Sequence, residues 1–158
     1  MSPRAMRMWS VAAIGAFVIG LQFTTPRHPN PLVNREQTLE ATTALPSDVS
    51  ALFARSCNDC HSNETHWRWY TYVVPVSWLT VRHVTKGRAD WNVSEWGRYR
   101  TRRKETRLRA ICAQVRGGTM PPTSYAFMHR EARLQLDDVK TICDWTESVK
   151  KELEATPP

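Results

Sequence analysis

At 158 residues and 18.2 kDa the chain has room for one domain plus accessories, and 41% hydrophobic residues are enough for a single compact core. A net charge of +7 and a pI near 9.6 call for an anionic counterpart, which is an acidic protein, a membrane surface or a nucleic acid. Where the charge lies along the chain decides among these.

Arg4 and Arg7 precede an uncharged run, Trp9 to Phe23, rich in Val, Ala, Ile, Gly and Phe. A positive start followed by an apolar run marks an exported chain. About 15 residues is long for the apolar part of a signal peptide and short of the ~20 that cross a bilayer. The exit, Gly20-Leu21-Gln22-Phe23-Thr24-Thr25-Pro26, lacks a small-x-small cleavage site. Residues 1–8 are therefore expected as a cytoplasmic stub and 9–24 as an uncleaved signal anchor, with everything beyond outside the cytoplasm. Cleavage and release into the periplasm is the alternative. Residues 25–46 carry Pro26, Pro29, Pro31 and Pro46 with weak periodicity, which points to an extended tether, a short helix from Arg35 to Ala44 being optional.

Ser47 has the character of an N-cap, with Asp48 in the first turn and Val49, Leu52 and Phe53 at helical spacing. The helix runs into Cys57-Asn58-Asp59-Cys60-His61, a C-x-x-C-H attachment signature for c-type haem. Two intervening residues on a helical turn bring both thiols to one haem edge for thioether linkage, and the following imidazole points at the iron. Five tryptophans, Trp67, Trp69, Trp78, Trp91 and Trp96, follow closely and are expected as walls of a pocket for a large flat cofactor. A second helix is expected over Asp137 to Leu153, with Val139, Ile142, Val149 and Leu153 on one side, crossing the first near the haem edge with help from Trp145. The haem domain then spans 47–154, and 155–158 form a tail.

The run Cys57 to Thr65, then Trp67-Arg68-Trp69-Tyr70, Val74-Pro75-Val76-Ser77-Trp78, Gly87-Arg88, Asn92-Val93-Ser94-Glu95-Trp96, Met120-Pro121-Pro122, Tyr125 and His129 resembles the small bacterial haem-binding domain family of c-type cytochromes. The match covers about residues 50 to 146, departing at Arg68, where Pro is usual, and at Val93, where Phe is usual. The resemblance implies one covalent haem c with its iron, and attachment on the outer side of a bacterial inner membrane.

Met120 is the leading distal ligand. It lies on a Gly117-Gly118-Thr119-Met120-Pro121-Pro122 loop in which glycines permit a tight turn and prolines stiffen the strand that holds the thioether. His61 and Met120 together would leave no open site on the iron and raise its potential. His66, His83 and His129 are bis-His alternatives, and an empty sixth position is another. Cys112 and Cys143 flank the Met loop as either a disulfide or a pair of buried thiols. Four cysteines with one C-x-x-C do not make a zinc site, and no βαβ pattern supports a thioredoxin-like motif.

From Arg98 to Arg109 the chain concentrates positive charge, then continues with Leu108, Ile111, Cys112 and Val115, as a helix solvated in its first half and packed in its second. The run is either a plain solvated face or a docking patch for an acidic redox partner or anionic lipid. Export and the absence of a matching fold signature argue against nucleic acid. The expected fold is mostly α, a small cytochrome c-like helical haem domain with an N-terminal membrane anchor helix. The expected function is single-electron transfer between redox protein partners, with no catalytic residue. A haem-based sensor or peroxidase with an exchangeable sixth ligand is the runner-up, and a haem subunit of a membrane complex is the third reading.

Overall fold

A computed structural model describes residues 2–155, which form eight α-helices joined by short 3-10 turns, with no strand among the described residues. Contacts divide the chain into two compact units, one of residues up to Pro29 with His66–His83, the other of Asn30–Thr65 and the chain from Val84 onward.

The first unit opens with α1, Pro3–Gln22, started by Ser2, whose side chain accepts from the Ala5 N–H, and by Pro3 in the first turn. None of its residues is buried, and an 18-residue window has a mean hydropathy of 1.4, so by length and composition this helix can cross a membrane. The rest of the unit is a 3-10 turn, Trp69–Tyr72, and the first half of α5, Val76–Asp90. Three hydrogen bonds fasten it to the chain leaving α1. The Val74 N–H donates to Gln22 Oε1 at 3.1 Å, the Trp78 indole donates to the Thr24 carbonyl at 3.2 Å, and the His28 ring donates to the Thr71 carbonyl at 2.6 Å. The His28 ring also lies between Trp67 and Tyr72.

The second unit holds the hydrophobic core. A brief helix, α2 (Leu39–Thr42), with the 3-10 turn Arg35–Gln37 before it, packs on the turn Val93–Arg98. Leu39 is only 1% exposed, and the Trp145 indole donates to the Ala44 carbonyl at 3.0 Å. The extended tether expected over 25–46 is corrected here: from Asn30 onward these residues belong to the folded unit. One leucine plugged into a core built by distant segments leaves no periodic trace.

Helix α3, Ser47–Ser56, buries Val49, Leu52 and Phe53 as its spacing requires. Ser47 is its first helical residue and the cap position falls to Pro46, one residue from the expected boundary. It delivers the chain into the single turn α4, Asn58–His61. Helix α6, Thr101–Arg116, buries Leu108, Ile111 and Val115 on its second half, while Thr101, Arg102 and Arg103 at its start are exposed. The six-residue helix α7, Thr123–Met128, leads to α8, Leu136–Ala155, which packs on both α3 and α6. Phe53 meets Trp145 edge to face at 5.2 Å, and Arg55 pairs with Asp138 at 2.6 Å. Cys112 on α6 and Cys143 on α8 form a disulfide across Cα atoms 4.8 Å apart, closing a loop that contains Met120.

Candidate functional site

Cys57, His61 and Met120, far apart in sequence, line one cavity of about 110 Å³ in the second unit, together with Ser56, Asp90, Trp91, Arg107 and residues of α6. That volume is below the ~300–1,000 Å³ typical of small-molecule and cofactor sites, so a flat macrocycle needs the walls to part. Cys60 is on the same turn but is not among the lining residues. Burial pushes the Cys57 thiol up to about 12 and the Cys60 thiol up to about 11, so both are protonated at neutral pH.

The orientation of His61 is set by groups outside its own helical turn. Its Nδ1 lies 3.1 Å from the Trp91 carbonyl, and its ring stacks on the Trp91 indole at 4.2 Å with 16° between planes. A carbonyl accepts only, so Nδ1 carries the proton and donates, which leaves the Nε2 lone pair for a metal. Burial depresses the imidazole pKa, against the opposing pull of the Trp91 and Gly87 carbonyls and Asp90, and so favours this neutral form.

Gly87 allows α5 to reach the motif. A Cβ at this position would stand 2.5 Å from the Cys60 carbonyl oxygen, a backbone atom that cannot swing away. Its neighbour Arg88 donates to the Ser62 carbonyl at 2.6 Å, to Thr65 Oγ1 at 2.8 Å and to Asn30 Oδ1 at 2.9 Å. Beyond the histidine, the Asn63 N–H donates to Ser94 Oγ at 3.0 Å, and Asn92 Nδ2 donates to Asn63 Oδ1 at 2.8 Å. The polar residues Ser62, Asn63 and Thr65 with Asn92 and Ser94 thus build a buried hydrogen-bonded brace behind the C-x-x-C-H turn. Such satisfied networks hold a loop in one conformation.

Met120 is presented by the end of α6. Gly118 adopts φ +65°, a left-handed conformation that disfavours side chains, and the Thr119 N–H returns to the Gln114 carbonyl at 3.0 Å. After the loop, the Tyr125 hydroxyl donates to Asp59 Oδ2 at 2.7 Å, joining α7 to the motif that carries His61.

The structure redistributes the tryptophans. Trp91 alone of the expected five lines the cavity, Trp96 is fully buried in the core, and Trp67, Trp69 and Trp78 belong to the other unit. Neighbours in sequence were expected as neighbours around the cofactor, but the unit boundary falls among them. His66, His83 and His129 do not line the cavity, and His129 is buried with its ring stacked on Tyr125 at 4.3 Å.

A family model described as a haem-binding domain matches residues 16–148. The chain belongs to the haem-binding domain family. No characterised protein and no solved structure matched. A haem-binding protein needs apolar walls, a nitrogen donor and counter-charge for a propionate, and the residues lining the cavity are of those kinds. His61 offers an imidazole nitrogen whose other ring atom is held by the Trp91 carbonyl. Arg107, on the α6 wall, has a buried Nε with no hydrogen-bond partner, the condition expected of a guanidinium awaiting a carboxylate. In the sequence Arg107 is one cation of a charged run, and the Trp91 carbonyl that anchors the histidine has no residue signature.

Proposed function

We propose that this haem-binding protein carries single electrons as a membrane-tethered monohaem cytochrome on the outer side of a bacterial inner membrane. The observation that carries the reading is one cavity lined by Cys57, His61 and Met120, with His61 locked by Trp91 as the Nδ1–H tautomer. A bound haem would supply one-electron chemistry at its iron. The thiols of Cys57 and Cys60 would hold the haem through thioether links. His61 Nε2 and the Met120 thioether would hold the iron, and Arg107 would hold a propionate. The buried walls Trp91, Ile111 and Val115 would disfavour added charge on the iron.

Electron transfer also needs a partner. Arg100, Arg102, Arg103 and Arg107 share one open surface hollow at the start of α6, and Arg107 borders the cavity as well. This face fits an acidic redox protein, for which such charges mainly speed encounter. The anchor would be α1, entering from the cytoplasmic side behind Arg4 and Arg7. Near-infrared absorption of the ferric protein tests the ligation: a Met-to-iron charge-transfer band is expected in the parent chain and absent in Met120→Ala. A parent chain without the band would refute Met ligation and favour an exchangeable sixth position.

A further inference from the structure

The first unit carries a surface for which the haem site has no use. Where the chain leaves α1, it exposes Phe23 (88%), Trp69 (78%), Tyr72, Val76, Trp78 and Leu79. Single exposed apolar side chains are ordinary on protein surfaces, but this unit gathers them on one short stretch. Nor is the stretch a loose loop. The bonds from Val74 to Gln22, from Trp78 to Thr24 and from His28 to Thr71 fix it against the C-terminal end of the apolar helix.

The charge in this unit is one-sided. It contains Arg4, Arg7, Arg27, Arg68 and Arg82 and no acidic residue, so all 15 Asp and Glu of the chain lie in the other unit. Arg27, Arg68 and Arg82 flank the exposed aromatics in sequence, while Arg4 and Arg7 lie at the opposite end of α1. Apolar bodies with polar ring tips, beside cations and without anions, match the lipid–water boundary. There Trp and Tyr rings partition to headgroup level, and nearby Arg side chains are drawn to anionic headgroups.

We infer that His66–His83 is an interfacial platform, lying in the headgroup layer of an anionic phospholipid bilayer where α1 emerges. The inference rests on α1 being the anchor and goes beyond it, because an anchor alone requires nothing of residues 66–83. Continuity with the helix end and the absence of acids select lipid over a protein surface as the occupant.

The test uses the full haem-loaded chain in phosphatidylcholine vesicles with and without phosphatidylglycerol, containing lipids brominated either near the headgroup or deep in the acyl chains. Trp9→Phe and Trp69→Phe/Trp78→Phe variants isolate each emission by difference, and a far-ultraviolet circular dichroism spectrum unchanged from the parent chain certifies their fold. The platform predicts that emission from Trp69 and Trp78 is quenched at least twofold more by shallow than by deep bromine, and less without phosphatidylglycerol. Trp9 should be quenched by bromine in the chains. Quenching of Trp9 with Trp69 and Trp78 untouched, or quenched equally at both depths, overturns the platform and leaves the anchor standing. Shallow quenching indifferent to phosphatidylglycerol overturns the choice of anionic lipid. Absence of quenching at Trp9 as well overturns the anchor reading itself.

Discussion

Four of the seven tryptophans, Trp9, Trp67, Trp69 and Trp78, belong to the first unit and three, Trp91, Trp96 and Trp145, to the second. The same residue type does opposite things in the two. In the second unit all three are buried, and they knit α3, α8 and the turn after α5 into a core beside the cavity. In the first, Trp9, Trp69 and Trp78 are exposed, on a helix with no buried residue and on a segment held by a few polar contacts. The second unit is stabilised by burial against itself. The apolar surface of the first is suited to burial against something else.

The difference can be broken or sharpened by substitution. Trp96→Ala should destabilise the second unit by about 3–5 kcal/mol, as large core truncations do, whereas Trp69→Ala should stay within about 0.5 kcal/mol in denaturant titration. A large cost at Trp69 would mean that the first unit has a core of its own.

The disulfide constrains the second unit alone. Cys112→Ser with Cys143→Ser should lower its stability by about 3–4 kcal/mol, given the 31-residue separation, and equilibrium unfolding with and without reductant would measure it. Because the closed loop contains Met120, the band assigned to its ligation should weaken in the same variant before the protein unfolds.

Gly87→Ala forces a Cβ onto the Cys60 carbonyl and should cost about 1–3 kcal/mol, an overpacking penalty read by thermal melting. A smaller loss is expected at the α3–α8 junction. Burial alone would raise the Asp138 pKa, but the Gln135 N–H and the Arg55 guanidinium outweigh it and leave the carboxyl lowered. A depressed carboxylate stabilises above its unfolded pKa, about 4, and loses that contribution as pH falls through the folded value. Asp138→Asn should therefore cost about 1 kcal/mol at pH 7, with the gap to the parent chain closing below about pH 4.

Features written into a few consecutive residues were legible from sequence. Cys57 to His61 form the expected turn, α3 and α8 pack through their predicted faces, and α6 divides into a solvated and a buried half. Met120 could be picked out because glycines and prolines mark its loop, and the cavity brings it together with Cys57 and His61. Leu39 was hidden because the turn on which α2 packs, Val93–Arg98, lies more than fifty residues further along the chain. The grip of Trp91 on His61 passes through a backbone atom that every residue possesses. The unit boundary depends on the second crossing of the chain at His66–His83, which no local pattern announces. The partnerless Nε of Arg107 becomes visible only when the cavity is built around it.

Carbon monoxide binding to the ferrous protein tests most directly whether the cavity holds its iron between His61 and Met120. The parent chain should resist the ligand, while Met120→Ala should bind it rapidly and stoichiometrically. Rapid, stoichiometric binding by the parent chain would contradict the electron-transfer reading and make the site one for an exchangeable ligand.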